Sequence, residues 1–152
     1  MNLLNHHEKK RRIFEFDESI RSFGWYHVER HWSGSPYRWS GPHIESIVVL
    51  EVPRSEPLSL DVIVVGAMDQ KALNSVKVFG DGRLLESVVT GHEFGWKLSM
   101  VVPARESGSH RELELSFKVL ATLKPSVVKN EPDDRLLGIA VMKFEFEPIS
   151  AQ

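Results

Sequence analysis

The chain contains no cysteine. Disulfides, thiolate nucleophiles and cysteine-ligated zinc are therefore excluded, and the composition suits a reducing compartment. No apolar run approaches the ~18 residues of a spanning helix, so no membrane span is expected. The N-terminus lacks the apolar core of a secretory signal, and a cytoplasmic location is the expectation. A basic excess is missing too. Lys and Arg number 19 against 21 Asp and Glu, for a formal net charge of -2, and a nucleic-acid partner is not expected. There is no Gly-x-Ser-x-Gly elbow and no phosphate loop, and Gly80-Asp81-Gly82 is too short for a dinucleotide fingerprint. Helical periodicity is nearly absent. Only Gly66 to Asn74 suits a helical turn.

What is present is β pattern. The 152 residues suit one domain able to bury its own core. Residues 1–12 read as a basic tail ending in Lys9-Lys10-Arg11-Arg12, and residues 13–148 as the folded unit. Strands are expected at Ile13–Phe16, Trp25–Arg30, Tyr37–Trp39, Ile44–Val52, Leu58–Val65, Val76–Phe79, Leu84–Val89, Phe94–Val102, Leu113–Val119 and Leu136–Phe146. The Asp81-Gly82 step between two β runs predicts a hairpin, because a tight turn there needs positive φ. Leu113, Leu115, Phe117 and Val119 alternate with polar residues, as on a strand with one buried face. Ala121 to Asp134 reads as a long polar loop. Turns recurring at roughly ten-residue spacing predict an all-β, antiparallel β-sandwich or barrel.

The chemistry concentrates between Gly24 and Trp39. Three of the four tryptophans (Trp25, Trp32, Trp39) and both tyrosines fall there, with Glu29, Arg30 and Arg38. Indole faces stack on the C–H faces of sugar rings, while guanidinium and carboxylate groups bind hydroxyls. The same aromatics can equally fill a core corner, and Trp25 and Trp39 suit core anchors. Metal sites have little support. His27 and His31 are four apart, a spacing that converges only on a helix. No metal or cofactor is expected, with a structural calcium at Glu131, Asp133 and Asp134 as the one alternative. Glu29 and Asp134 would serve as the paired carboxylates of a sugar hydrolase if the fold brought them together.

Several short elements carry a family resemblance: Gly24-Trp25 with Glu29, then Arg38-Trp39 ahead of a β run, then Lys124-Pro125-Ser126, and finally Asp134-Arg135-Leu136-Leu137-Gly138-Ile139. In that order, across residues 23–147, they resemble the jelly-roll-like (galactose-binding-like) β-sandwich modules associated with bacterial glycosyltransferases and cell-surface polysaccharide biosynthesis. The resemblance implies a non-catalytic module with a glycan or a glycosyltransferase-type partner, although no transferase domain accompanies it here. The aromatic stretch and these elements together make Trp25, Glu29, Trp32, Arg38, Trp39, Asp134 and Arg135 the candidate ligand-binding residues. Cross-strand pairing of Asp134 with Arg38 and of Arg135 with Glu29 is the structural expectation for the charged members. Two other readings stand beside it: a protein-interaction or scaffold β-sandwich, which predicts an exposed apolar patch elsewhere, and the sugar-acting hydrolase. Oligomeric state is not legible.

Overall fold

The computed structural model describes residues 11–105 and 111–149. They form an antiparallel β-sandwich of jelly-roll type, built from a seven-stranded and a five-stranded sheet. The larger sheet runs β3 (Glu29–Arg30), β4 (Pro36–Trp39), β12 (Ile139–Pro148), β6 (Leu58–Ala67), β10 (Gly95–Val102) and β9 (Val88–His92). Its seventh strand, β1 (Arg12–Glu15), also pairs with β12. The two share one edge of β12: β4 lies along Ala140–Val141 and β1 along Lys143–Phe146. The smaller sheet runs β2 (Arg21–Phe23), β5 (Glu45–Glu51), β11 (Glu112–Lys118), β7 (Lys77–Gly80) and β8 (Arg83–Leu85).

Period-two alternation builds the core. On β11, Leu113, Leu115 and Phe117 are buried while Glu112, Glu114 and Lys118 face water. Across the interlayer they meet Leu60, Val62 and Val64 of β6 and Phe144 and Phe146 of β12. The hairpin at Asp81-Gly82 forms as its chemistry requires: Gly80 pairs with Arg83, and the two turn residues have φ of 48° and 83°.

Several boundaries differ from expectation. Arg12 belongs to β1, and residues 1–10, most of the expected tail, lie outside the described residues. The run Leu84–Val89 is two strands, because Leu85 ends β8 in one sheet and Val88 begins β9 in the other. Gly66–Asn74 yields a helix, α1 (Gln70–Ser75), whose first turn is capped by Asp69 accepting from the Ala72 N–H at 2.6 Å. The loop from Ala121 to Asp134 contains one helical turn, α2 (Pro125–Val128). Trp25–Arg30 is only partly a strand. Trp25 bridges to Ser40 and Glu29–Arg30 pair with β4, but the carbonyls of Trp25 and Tyr26 turn to a side chain.

That side chain is Arg38. From β4 of the larger sheet it donates to Tyr26 O (2.6 Å), Ser22 Oγ on β2 (3.2 Å) and Trp25 O (3.4 Å), and lies 5.3 Å from the centroid of the Phe16 ring. Beside it the Trp25 indole donates to Ile47 O and packs edge-on against Phe16 and Phe117. Desolvation lowers the Arg38 pKa, opposed by the charge of Glu18. The outer face of the five-stranded sheet carries one apolar row set by register, running Phe23, Ile47, Ser116, Phe79 and Leu84. Phe23 is 68% and Leu84 52% exposed.

Replacing Arg38 by Met should keep the contact with Phe16 but strand two carbonyls at the joint between the sheets. A loss of about 1–3 kcal/mol is expected from urea unfolding midpoints; an unchanged midpoint would show that the joint does not depend on the guanidinium.

Candidate functional site

Alternation on β4 separates the aromatic cluster into two halves. Arg38 faces the interlayer, so Tyr37 and Trp39 face outward. The Trp39 ring lies over Gly66 of β6, where an added Cβ would sit 2.9 Å from Cη2 and Cζ2. A glycine at this point is what lets the indole lie against the sheet.

Next to it, Tyr37 donates to Glu29 Oε1 at 3.3 Å. The other oxygen of Glu29 accepts from Arg135 Nη1 at 3.1 Å. Arg135 also grips Asp133, through Nε to both carboxylate oxygens and through Nη2 to Oδ2 at 2.7 Å. Its guanidinium stacks over the Tyr26 ring at 5.1 Å, and the Tyr26 hydroxyl is held by Leu136 O at 3.0 Å. The plane of the fork is thereby fixed. Of the five guanidinium donors, one N–H on each terminal nitrogen remains for another acceptor. The hydrogen bond to Asp133 and then the pairing with Glu29 raise the Arg135 pKa further above its already high ordinary value, so the cation is permanent. The same bond holds the Asp133 carboxyl below its ordinary value. Burial, and then the Glu29 charge, push the Tyr37 phenol up and keep it protonated.

The tip of the β3–β4 hairpin extends this surface. Trp32 is 82% exposed. It is braced by His31, with ring centroids 4.8 Å apart, and edge-on by Phe94, at 5.6 Å. His31 touches Phe94 at 5.3 Å and Tyr37 at 6.4 Å. The indole is therefore a platform held from two sides, continuous through His31 and Tyr37 with the Glu29–Arg135 network.

The structure brings Glu29, Trp32, Trp39 and Arg135 to this outer corner. Trp25 and Arg38 sit at the core edge, with the indole N–H and the guanidinium nitrogens engaged by carbonyls and Ser22. The expected pairing of Asp134 with Arg38 does not form. Asp134 accepts from the Ser126 hydroxyl, at the start of α2, while Asp133 turns toward Arg135. Arg38 bonds carbonyls because Trp25 and Tyr26, and not the 121–134 loop, lie against it. Glu29 and Asp134 thus hold different partners. Among the described residues no three His, Asp or Glu groups converge as a metal site. Sequence reasoning left Asp133, Tyr26, Tyr37, His31 and Phe94 out of the ligand-binding set, with Asp133 and His31 weighed only as metal ligands. The two tyrosines carried a signal in their position among the tryptophans, whereas Phe94 carried none, since a fold-over of the hairpin tip brings it in.

No protein-family model matches the chain, and no curated protein sequence does. Solved structures that share its architecture include two carbohydrate-binding modules. One is a family 35 carbohydrate-binding module from Clostridium thermocellum (12% identity, 90% of this chain and 96% of that one, TM-score 0.56). The other is the C-terminal CBM6 of LamC, a marine laminarinase from Zobellia galactanivorans (12% identity, 90% and 98%, TM-score 0.50). The chain therefore has the β-sandwich fold found in these carbohydrate-binding modules.

A depressed carboxylate contributes stability above its unfolded-state pKa and loses it as pH falls through the folded value. Stabilisation by Asp133 should be complete at neutral pH and fade on acidification below the unfolded-state value of about 3.9, and with the pair so exposed it should stay below about 1 kcal/mol. A carboxyl titration followed by NMR should place the Asp133 midpoint below that of an ordinary aspartate and return it toward about 3.9 in Arg135→Met. Equal midpoints in the two proteins would show that Arg135 is not the cause.

Proposed function

We propose that this protein is a non-catalytic carbohydrate-binding module whose ligand stacks on Trp32 and is held by Arg135, Glu29 and Asp133. The observation that carries this reading is Trp32 itself. A large indole 82% exposed, braced by His31 and Phe94, adjoins a fixed guanidinium with donors to spare. Sugars need that combination, an apolar ring face beside hydroxyls that both donate and accept. Arg135 supplies donors; Glu29 and Asp133 supply acceptors. Trp39, against Gly66 on the same outer side, offers a second ring for a longer chain. The neighbouring modules' names favour a carbohydrate. The link to bacterial surface polysaccharide synthesis, with a glycosyltransferase-type partner, rests on the resemblance carried by Gly24-Trp25, Arg38-Trp39 and Asp134-Arg135-Leu136-Leu137-Gly138.

A second reading has its own observation. The apolar row from Phe23 to Leu84 crosses the outer face of the five-stranded sheet and would suit a protein partner. It lies on the other sheet from Trp32, so the two are separable by mutation.

Titration with surface-polysaccharide oligosaccharides should quench tryptophan fluorescence saturably. Trp32→Ala should weaken binding at least about tenfold, or ~1.4 kcal/mol, with the unfolding midpoint unchanged. Arg135→Lys, which keeps the charge but loses the fork, should also weaken it. No saturable change with any oligosaccharide, or Trp32→Ala binding as the wild type does, would overturn the carbohydrate reading. Loss of partner binding in Phe23→Ser with sugar binding intact would instead assign the apolar row.

A further inference from the structure

The end of the sandwich away from Trp32 holds a cleft of about 400 Å³ lined by Arg54, Asp81, Arg83, Pro103 and Arg105, among others. It is formed where the Asp81-Gly82 turn meets the chain leaving β10 and the loop between β5 and β6. Among the described residues three guanidiniums line it against one carboxylate.

The arrangement is built around Asp81. One oxygen, Oδ2, accepts from Arg54 Nη1 at 2.6 Å and from Arg105 Nη2 at 2.7 Å. The other, Oδ1, accepts from the Glu114 N–H at 3.1 Å. Arg54 is a framework residue: its side chain is 9% exposed and it also donates to Glu112 O and Pro103 O. Arg105 is fixed at its backbone, whose N–H donates to Arg54 O at 2.8 Å, and its side chain remains about one-third exposed. Arg83 follows the turn on β8 and is exposed, and its side chain has no hydrogen-bond or ion-pair partner among the described residues. Two like charges thus converge on a single oxygen and a third stands beside them, and among the described residues lining the cleft Asp81 is the one negative charge set against all three. Among the described residues the next carboxylates, Glu112 and Glu114, line an adjoining cleft that Asp81 and Arg105 also border, and there Glu112 is engaged by Arg21 at 3.7 Å.

We infer that this cleft is a second binding site, for an oxyanion group (a sulfate, phosphate or carboxylate) received by Arg83 and Arg105 while Asp81 and Arg54 hold Arg105 in place. Guanidinium forks match such groups in geometry as well as charge, and the bonds are charge-assisted. An oxyanion would supply the negative charge that Asp81 alone does not. The site is independent of the Trp32 corner and stands whether or not that corner binds sugar. The oxyanion can be a free inorganic ion or the acidic substituent of a sugar.

Backbone amide shifts of Gly80 to Arg83 would be followed by NMR at constant ionic strength. The full chain would be titrated with inorganic phosphate, sulfate and glucuronate, with glucose and chloride as controls. Saturable shifts are expected with the oxyanions and not with the controls. Arg83→Gln, at an exposed position that leaves the Asp81 network intact, should raise the midpoint about tenfold. Arg105→Gln should do the same, and Trp32→Ala should leave it unchanged. A tighter midpoint for glucuronate would identify an acidic-sugar substituent as the source, and a tighter one for phosphate or sulfate the inorganic or esterified group; either supports the site. Shifts that fail to saturate, that chloride reproduces, or that survive Arg83→Gln with the same midpoint would overturn it.

Discussion

One cation enters the joint between the two sheets, and the corner of the molecule is arranged around it. Among the described residues no carboxylate is bonded to Arg38. It is balanced by two backbone carbonyls, a serine hydroxyl and the face of Phe16. Such an arrangement contributes modest net stability, because desolvation of the guanidinium offsets most of what the hydrogen bonds return. Its effect is on geometry. By drawing the Trp25 and Tyr26 carbonyls inward, it takes this stretch out of regular pairing and ties β2 of one sheet to β4 of the other. With Arg38 inward, Tyr37 and Trp39 must face outward, since neighbours on a strand alternate. The outer corner is thus a consequence of where one charge went.

The rest of that corner is positioned by contacts distant in sequence. Arg135 reaches Glu29 across 106 positions, and the Tyr26 hydroxyl meets the Leu136 carbonyl across 110. The chain between Ala121 and Leu137 is held down by the Leu123–Leu137 bridge and by Lys129 donating to the Ala67 carbonyl. These ties present Asp133 and Arg135 on a fixed loop. A fork whose plane is set in advance by Tyr26 and Asp133 loses less freedom when a ligand arrives.

What could be read without coordinates follows from the range of each interaction. The Asp81-Gly82 turn was legible because positive φ at adjacent positions is a local demand. The inward face of β11 was legible because period two is local as well. Alternation does not say which sheet a residue joins, so Leu84 to Val89 reads as one strand although the chain changes layers within it. The candidate site divided along the same line. Aromatic density marked the Gly24–Trp39 stretch, but the side-chain directions that put Trp25 inside and Trp32 outside depend on tertiary packing. The choice of Asp133 over Asp134 as the partner of Arg135 was equally illegible. Two adjacent aspartates look alike in sequence, and the difference is made by Ser126 capturing one of them.

The two ends of the molecule use one device with the signs exchanged. At the outer corner a single cation, Arg135, is held between two carboxylates. At the far cleft a single anion, Asp81, is held between two guanidiniums. In each the central charge is satisfied, and the excess belongs to the flanking groups that a ligand would meet. The first therefore presents carboxylate acceptors together with the two remaining N–H donors of Arg135, beside an apolar ring, which suits a neutral polyol. The second presents donors and, among the described residues lining it, an excess of positive charge and no aromatic ring, which suits an anion and offers little to a sugar face. A ligand bearing both kinds of group would have to span the sandwich to engage both sites at once. On the readings proposed above, the two are therefore separate binding functions carried on one sandwich.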